Sequence, residues 1–331
     1  MIVHPIPPGT RDVLPDEMRE LRRLHLAMIE VFESRGYGEV ATPAIEYDEV
    51  MARGDGRTAA SAYRFFDERG DLLALRSDMT VPIARLVASR YAGADPPIRL
   101  CYLANAFRAV RPQRGQMREF AQAGVELIGA PAPDGTAEVV DVLEATLDAA
   151  GLNRAVIGLG DSDLFRQLLS ELGVEGEARD SVLSRLAAHD LVGLEAELSE
   201  LDGIGDEQVD TCVALSQLRG GKEVLEEARA LGGAAVERAT ARIGETFEAL
   251  EARGVADRVQ IDLGLLRDLG YYSGAILEVY DPAIGHVLGG GGRYDGLLKR
   301  FGLDLPAAGF ALYLERVHVA QMEEARGVEG P

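Results

Sequence analysis

Apolar residues recur at helical spacing from Leu21 through Leu24, Met28 and Ile29 to Phe32, which predicts a helix from Asp16, a residue able to cap it, to about Arg35. Gly36, Tyr37 and Gly38 close it, and residues 7–15 before it read as an extended arm. The stretch 39–46 reads as a short strand interrupted by Pro43, which belongs at a sheet edge or a subunit contact because proline cannot donate to a ladder. Apolar runs at 62–67 and 72–75 bracket a polar turn and predict a hairpin, and 81–91 reads as a helix. A longer hairpin follows: one strand leads into Phe107 and Arg108, a polar turn spans 111–115, and a second strand returns through Phe120, Gln122, Gly124 and Glu126. Alternation with Ala121, Ala123 and Val125 puts Gln122 and Glu126 on one face with a small residue between them, the pattern of a polar recess.

Further on, 134–150 reads as a helix and 155–160 as a strand. From 162 to about 229 the pattern is helical throughout, with Leu183, Leu186, Leu191, Leu194 and Leu198 at three- to five-residue steps, so an inserted helical lobe is expected there. A helix over 235–253 then leads to a strand at 259–263. The expected organisation is a discontinuous domain, 1–161 with 230–322, an inserted lobe at 162–229 and a tail at 323–331.

Charge narrows the partners. The 331 residues carry a formal charge of −21, and 161–229 holds 17 acidic against 6 basic residues. Nucleic-acid affinity rests on Lys and Arg neutralising phosphates, so nucleic acid is not an expected partner. The acidic segment reads first as the solvated face of a helical lobe. Cys101 and Cys212 form no close pair, and the five histidines show no metal-ligand spacing, so neither a disulfide framework, a metal nor a cofactor is expected. Asp262, Asp268 and Glu315 are expected to be neutralised by arginines rather than to ligate a cation. With no signal peptide and no apolar run of spanning length in the sequence, the expectation is a cytoplasmic protein with no membrane association.

The hairpin at 101–129 resembles motif 2 of histidyl-tRNA synthetase, a class II aminoacyl-tRNA synthetase, and four other segments extend the resemblance in the right order. LRSDMT at 75–80 is similar to the family's LRPE(G)T segment, LRDLGYYSG at 266–274 to its histidine-specific RGLDYYTG segment, and GGGGRYDG at 289–296 with GFALYLER at 309–316 to its glycine-rich strand and motif 3. The N-terminal helix and strand are similar to motif 1, the family's dimer contact. The resemblance implies an α+β fold of the class II synthetase type: a mostly antiparallel sheet of six or seven strands flanked by helices, with a helical insertion and without an anticodon-binding domain.

Departures from the pattern shape the functional expectation. Arg108 fills the place of the arginine that grips the ATP α-phosphate, but Val110 stands where a glutamate reads adenine, and valine accepts no hydrogen bond. Tyr313 places a ring where the family keeps a glycine beside its ATP-gripping arginine. By resemblance, Asp78, Thr80, Gln122, Glu126, Arg267, Tyr271 and Tyr272 are the candidate histidine-binding residues and Arg108 and Arg316 the candidate phosphate- or anion-binding pair, with no catalytic residue. Adjacent on a strand, Tyr271 and Tyr272 would point to opposite faces, leaving one of them in the pocket.

The family implied is that of the synthetase-like regulatory subunits of ATP phosphoribosyltransferase, the enzyme that begins histidine biosynthesis. The partners expected on that basis are the short-form catalytic subunit and a second copy of the chain, a homodimer within a hetero-oligomer, by resemblance a hetero-octamer, with L-histidine as effector. Two other classes stand beside it: a histidine-activating enzyme lacking the anticodon domain, which pyrophosphate exchange would reveal, and a structural assembly subunit with an empty pocket, which histidine titration would reveal.

Overall fold

The computed structural model describes residues 6–54, 61–110, 117–267 and 270–328. The turn expected at 111–115, Asp268 and His4 lie outside them.

Helix α1, Pro15–Ser34, starts one residue before the expected cap. Pro15 occupies the first helical position, where a missing N–H costs nothing, and Asp16 sits in the first turn beside the positive end of the helix dipole. The stretch around Pro43 splits into β1, Gly38–Glu39, and β2, Ile45–Tyr47, which join different sheets. Then come α2 (Asp48–Ala52), β3 (Arg64–Phe66), β4 (Leu72–Leu75), α3 (Thr80–Arg90), β5 (Ile98–Phe107), β6 (Glu119–Ile128), α4 (Asp134–Ala149) and β7 (Val156–Asp161). Four helices follow, α5 (Leu164–Glu171), α6 (Gly176–Ala187), α7 (Leu191–Ser199) and α8 (Asp206–Gln217), then β8 (Arg219–Gly220), α9 (Glu223–Leu231) and α10 (Ala234–Arg253). The chain returns to the sheet with β9 (Val259–Asp262), β10 (Ala275–Tyr280), β11 (Val287–Arg293) and β12 (Ala307–Tyr313), and α11 (Leu314–Val328) closes the described residues.

The main sheet has nine strands among the described residues, in the order β1-β5-β6-β12-β11-β10-β7-β9-β8, rather than the expected six or seven. The excess includes β1 and β8, two-residue strands too short to carry a period-two signal. The sheet is mixed: β1 with β5 and β7 with β9 run parallel, the other six pairs antiparallel. A second, antiparallel sheet is ordered β2-β4-β3.

Alternation on β6 sorts the two faces of the main sheet. Ala121, Ala123, Val125 and Leu127 join the core beneath α1, α4 and α10, where Leu21, Leu24, Met28 and Phe32 are buried and the Phe32 ring meets Phe310 edge-on at 6.0 Å. Each of those α1 side chains contributes roughly 1.5–3 kcal/mol by leaving water. The opposite face carries Gln122, Gly124 and Glu126 and is roofed by a second core of Met79, Tyr102, Tyr271, Tyr294 and Leu297. The chemistry-bearing residues therefore lie between a rigid sheet and this smaller layer. Helix α11 runs on through 323–328, and Glu324 accepts the Asn153 and Arg154 N–H groups at 3.0 Å each, tying the helix to the loop before β7.

Candidate functional site

A small recess of about 30 Å³ opens on the roofed face, room for a water or two. Its walls include Asp78 and Thr80 at the start of α3, Gln122 on β6, Arg267 with Tyr271 and Tyr272 from the segment between β9 and β10, the backbone of Gly290, Gly291 and Gly309, and Arg108 and Tyr313. Six of the seven candidate histidine-binding residues are thus brought together. Asp78 is 4% exposed and its Oδ1 accepts the Val81 N–H at 3.0 Å, which fixes the carboxylate at the entry to α3. Gln122 is buried, and its Oε1 has no hydrogen-bond partner among the described residues. A buried amide oxygen left in that state costs about 1–3 kcal/mol, which a ligand N–H would recover.

The tyrosine pair departs from the expectation of opposite faces. Residues 270–274 form a turn rather than a strand, and both rings line the recess with centroids 5.0 Å apart. A turn can set consecutive side chains side by side because the strict period of two belongs to extended backbone.

Glu126 departs differently, standing behind the recess. It is 1% exposed, its Oε1 accepts the Thr80 hydroxyl at 2.8 Å and its Oε2 the Tyr294 hydroxyl. Burial pushes the carboxyl up to about 8 even though both hydrogen bonds pull the other way, and neighbouring Asp78 adds to the rise. Near neutral pH Glu126 is therefore a protonated, hydrogen-bonded group, positioned to hold Thr80 and Tyr294 rather than to meet a ligand charge directly.

Glycines make this packing possible. A Cβ on Gly290 would lie 1.8 Å from Arg267 Nη1, one on Gly309 2.0 Å from Glu126 Oε2, and one on Gly124 2.7 Å from the Tyr102 hydroxyl oxygen. The glycine-rich strand is thus a floor on which buried polar side chains lie flat. Arg267 stretches over it, donating to the Leu277 carbonyl at 3.2 Å with Glu278 4.0 Å away. Tyr102 and Tyr294 were not singled out in the sequence; the RYD segment directly after the glycines carried the signal for Tyr294.

A larger cavity of about 470 Å³ lies on the other side of Tyr313. Val110, Met117, Phe120, Ile284 and Val319 give it an apolar surface, and Arg11, Arg108, Arg316 and His286 stand around it with Glu17 and Glu315. Val110 therefore lines a cavity of nucleotide-compatible size and offers it no side-chain acceptor. Arg108 donates to the Ser77 carbonyl at 3.1 Å and to the Tyr313 hydroxyl at 3.2 Å. Arg316 donates to the Val287 carbonyl at 2.6 Å and stacks over the Tyr313 ring at 4.3 Å.

The acids considered as ligands have other work: Asp262 pairs with Arg219 at 2.8 Å, and Glu315 accepts the Ala121 N–H at 3.1 Å. Among the described residues no group of three or more His, Cys, Asp or Glu side chains could hold a metal ion, and no helix is long and apolar enough to cross a membrane.

Comparisons to known proteins bear on the family and the fold. The family model for histidyl-tRNA synthetase matches residues 9–317. The chain is 43% identical over 324 residues to the ATP phosphoribosyltransferase regulatory subunit of Moorella thermoacetica, an alignment spanning 97% of this chain and 82% of that protein. A Bacillus halodurans structure described as an ATP phosphoribosyltransferase regulatory subunit/histidyl-tRNA synthetase superposes with a TM-score of 0.86 at 32% identity, covering 97% of this chain and 84% of that one. A histidine–tRNA ligase subunit from Alicyclobacillus acidocaldarius superposes with a TM-score of 0.84 at 30% identity, covering 98% and 99%. By family model, relatives and fold alike, the chain belongs to the histidyl-tRNA synthetase family, in the group of ATP phosphoribosyltransferase regulatory subunits.

Proposed function

We propose that the protein is the non-catalytic regulatory subunit of an ATP phosphoribosyltransferase, that it is required for the first step of histidine biosynthesis, and that free L-histidine in the recess is its effector. The observation that carries the reading is the unequal fate of the two halves of the site. The recess keeps buried polar walls, with Asp78 and Gln122 as acceptors and Arg267 as a carboxylate donor, whereas the neighbouring cavity has Val110, which accepts no hydrogen bond, among its apolar residues, and its acids Glu17 and Glu315 are engaged by Arg11 and the Ala121 N–H. An ammonium, an imidazole N–H and a carboxylate are the groups such a recess complements.

For histidine to regulate, it must bind one state of the complex more tightly than another. At about 30 Å³ the recess is smaller than an amino acid, so a bound state needs side chains to move outward, and that difference between open and closed recess is what a partner could sense. On this reading the protein is cytoplasmic, the lobe at 162–229 is an insertion into the discontinuous domain, and the chain forms a homodimer inside a hetero-oligomer with the short catalytic subunit. Exposed apolar side chains on the small sheet and its strands' ends, Ile45 (47%), Tyr47 (52%) and Phe66 (71%), favour assembly, since a lone subunit gains nothing by wetting them.

Light scattering and transferase assays on the protein mixed with the catalytic subunit test this. A joint complex with raised, histidine-sensitive activity is expected, together with no histidine-dependent ATP–pyrophosphate exchange. Independent elution with a fully active, histidine-sensitive transferase alone would refute it.

A further inference from the structure

We propose that Tyr313 decides what the recess accepts: its ring walls the recess off from the larger cavity and its hydroxyl fills the anion seat beside Arg108, so a free amino acid is admitted and one extended through its carboxyl carbon is shut out. The proposal rests on reading the recess as an amino-acid site.

Of the residues lining the two cavities, Arg108 and Tyr313 are the two they share. Tyr313 stands opposite Gln122 in the β12–β6 register, at the end of its strand. Three contacts hold it there: the Phe120 ring edge-on at 5.3 Å, the Arg316 guanidinium over its face at 4.3 Å, and the Arg108 N–H donated to its oxygen at 3.2 Å. A stopper that merely filled space would not need an arginine on each side.

The charges facing the phenol explain the second half of the proposal. Arg108 reaches it from the end of β5, Arg267 from the segment before β10 and Arg316 from α11. The acids nearby are engaged elsewhere: Asp78 caps α3, Glu278 faces Arg267 and Glu315 binds the Ala121 N–H, while His286, Arg11 and Glu17 line the far cavity. Burial alone would push the phenol up, but the three arginines outweigh it and bring it down to about 8. Near neutral pH the hydroxyl is thus an uncharged acceptor for the Arg108 guanidinium, and it becomes a counter-charge for the surrounding arginines only above about pH 8. A carboxyl-linked extension would have to pass through the ring that stands between the two cavities.

The test is calorimetry with L-histidine and with its non-hydrolysable acyl-sulfamate conjugate to adenosine, on the full chain and two variants. Wild type should bind histidine and take the conjugate at least about a hundredfold more weakly, the scale on which a closed pocket rejects an oversized ligand. Tyr313→Gly should reverse that preference. Tyr313→Phe should still exclude the conjugate, but the extra weakening of histidine binding in wild type as pH rises through about 8, from the ionised phenol competing with the ligand carboxylate, should vanish. Comparing the two proteins at each pH cancels the titration of histidine itself. Equal wild-type affinity for both ligands, or identical pH profiles for wild type and Tyr313→Phe, overturns the proposal. If no protein binds histidine, the amino-acid reading of the recess falls, and a crystal structure of Tyr313→Gly then judges the wall by itself: merged cavities sustain it and separate cavities refute it.

Discussion

Glu126→Gln should change how stability depends on pH. The Glu126 carboxyl is 1% exposed and burial raises it from 4.5 to about 8, whereas the unfolded chain returns it to water. Below about pH 4.5 both states are protonated and the group contributes nothing. Between about 4.5 and 8 the folded protein holds a proton that the unfolded chain has released, so stability falls as pH rises; above about 8 the loss is complete. At about 1.4 kcal/mol per pH unit, the full effect approaches 5 kcal/mol, a large share of the 5–15 kcal/mol that holds a typical domain together. Glutamine matches the shape and keeps an oxygen for Thr80 or Tyr294, but it does not titrate. Urea unfolding at about pH 5.5, 7 and 8.5 should therefore show the variant gaining on wild type by about 1 kcal/mol or more per pH unit. Parallel pH profiles for the two proteins would mean that Glu126 is ionised in the fold at its ordinary range, refuting the picture of a protonated carboxyl behind the recess.

Gln122→Leu should stabilise the free protein by about 1 kcal/mol, because it removes a buried oxygen with no partner among the described residues, while weakening histidine binding in calorimetry. Gly309→Ala should cost about 1–3 kcal/mol in thermal unfolding, since the new methyl would lie 2.0 Å from Glu126 Oε2 and 2.5 Å from the Val125 carbonyl oxygen. Arg242→Ala should cost about 3 kcal/mol, the low end for buried pairs, by stripping Asp161, whose side chain is 0% exposed, of a two-pronged partner at 2.8 and 2.9 Å; the arginine itself is 37% exposed.

Much of the architecture could be read along the chain because burial imprints a local period. The alternation through Phe120–Glu126 placed Gln122, Gly124 and Glu126 on one face of β6, and the spacing of Leu21, Leu24, Met28 and Phe32 marked the buried side of α1. Both follow from backbone geometry over a few residues. The departures Val110 and Tyr313 were equally plain as residue identities.

What those residues do was decided only when distant segments met. Glu126 is sealed by Tyr294, 168 positions away, and Tyr313 finds Arg108 across 205 positions, so neither the protonated carboxyl nor the wall between the cavities has a local signature. The two-residue strands β1 and β8 exist because a neighbouring strand offers them a ladder, and the two tyrosines share the recess because their backbone turns. A pattern along the chain can say which face a side chain takes, because that depends on its own dihedral angles. Its charge state and its hydrogen-bond partner depend on the dielectric and the donors that the rest of the fold brings to it.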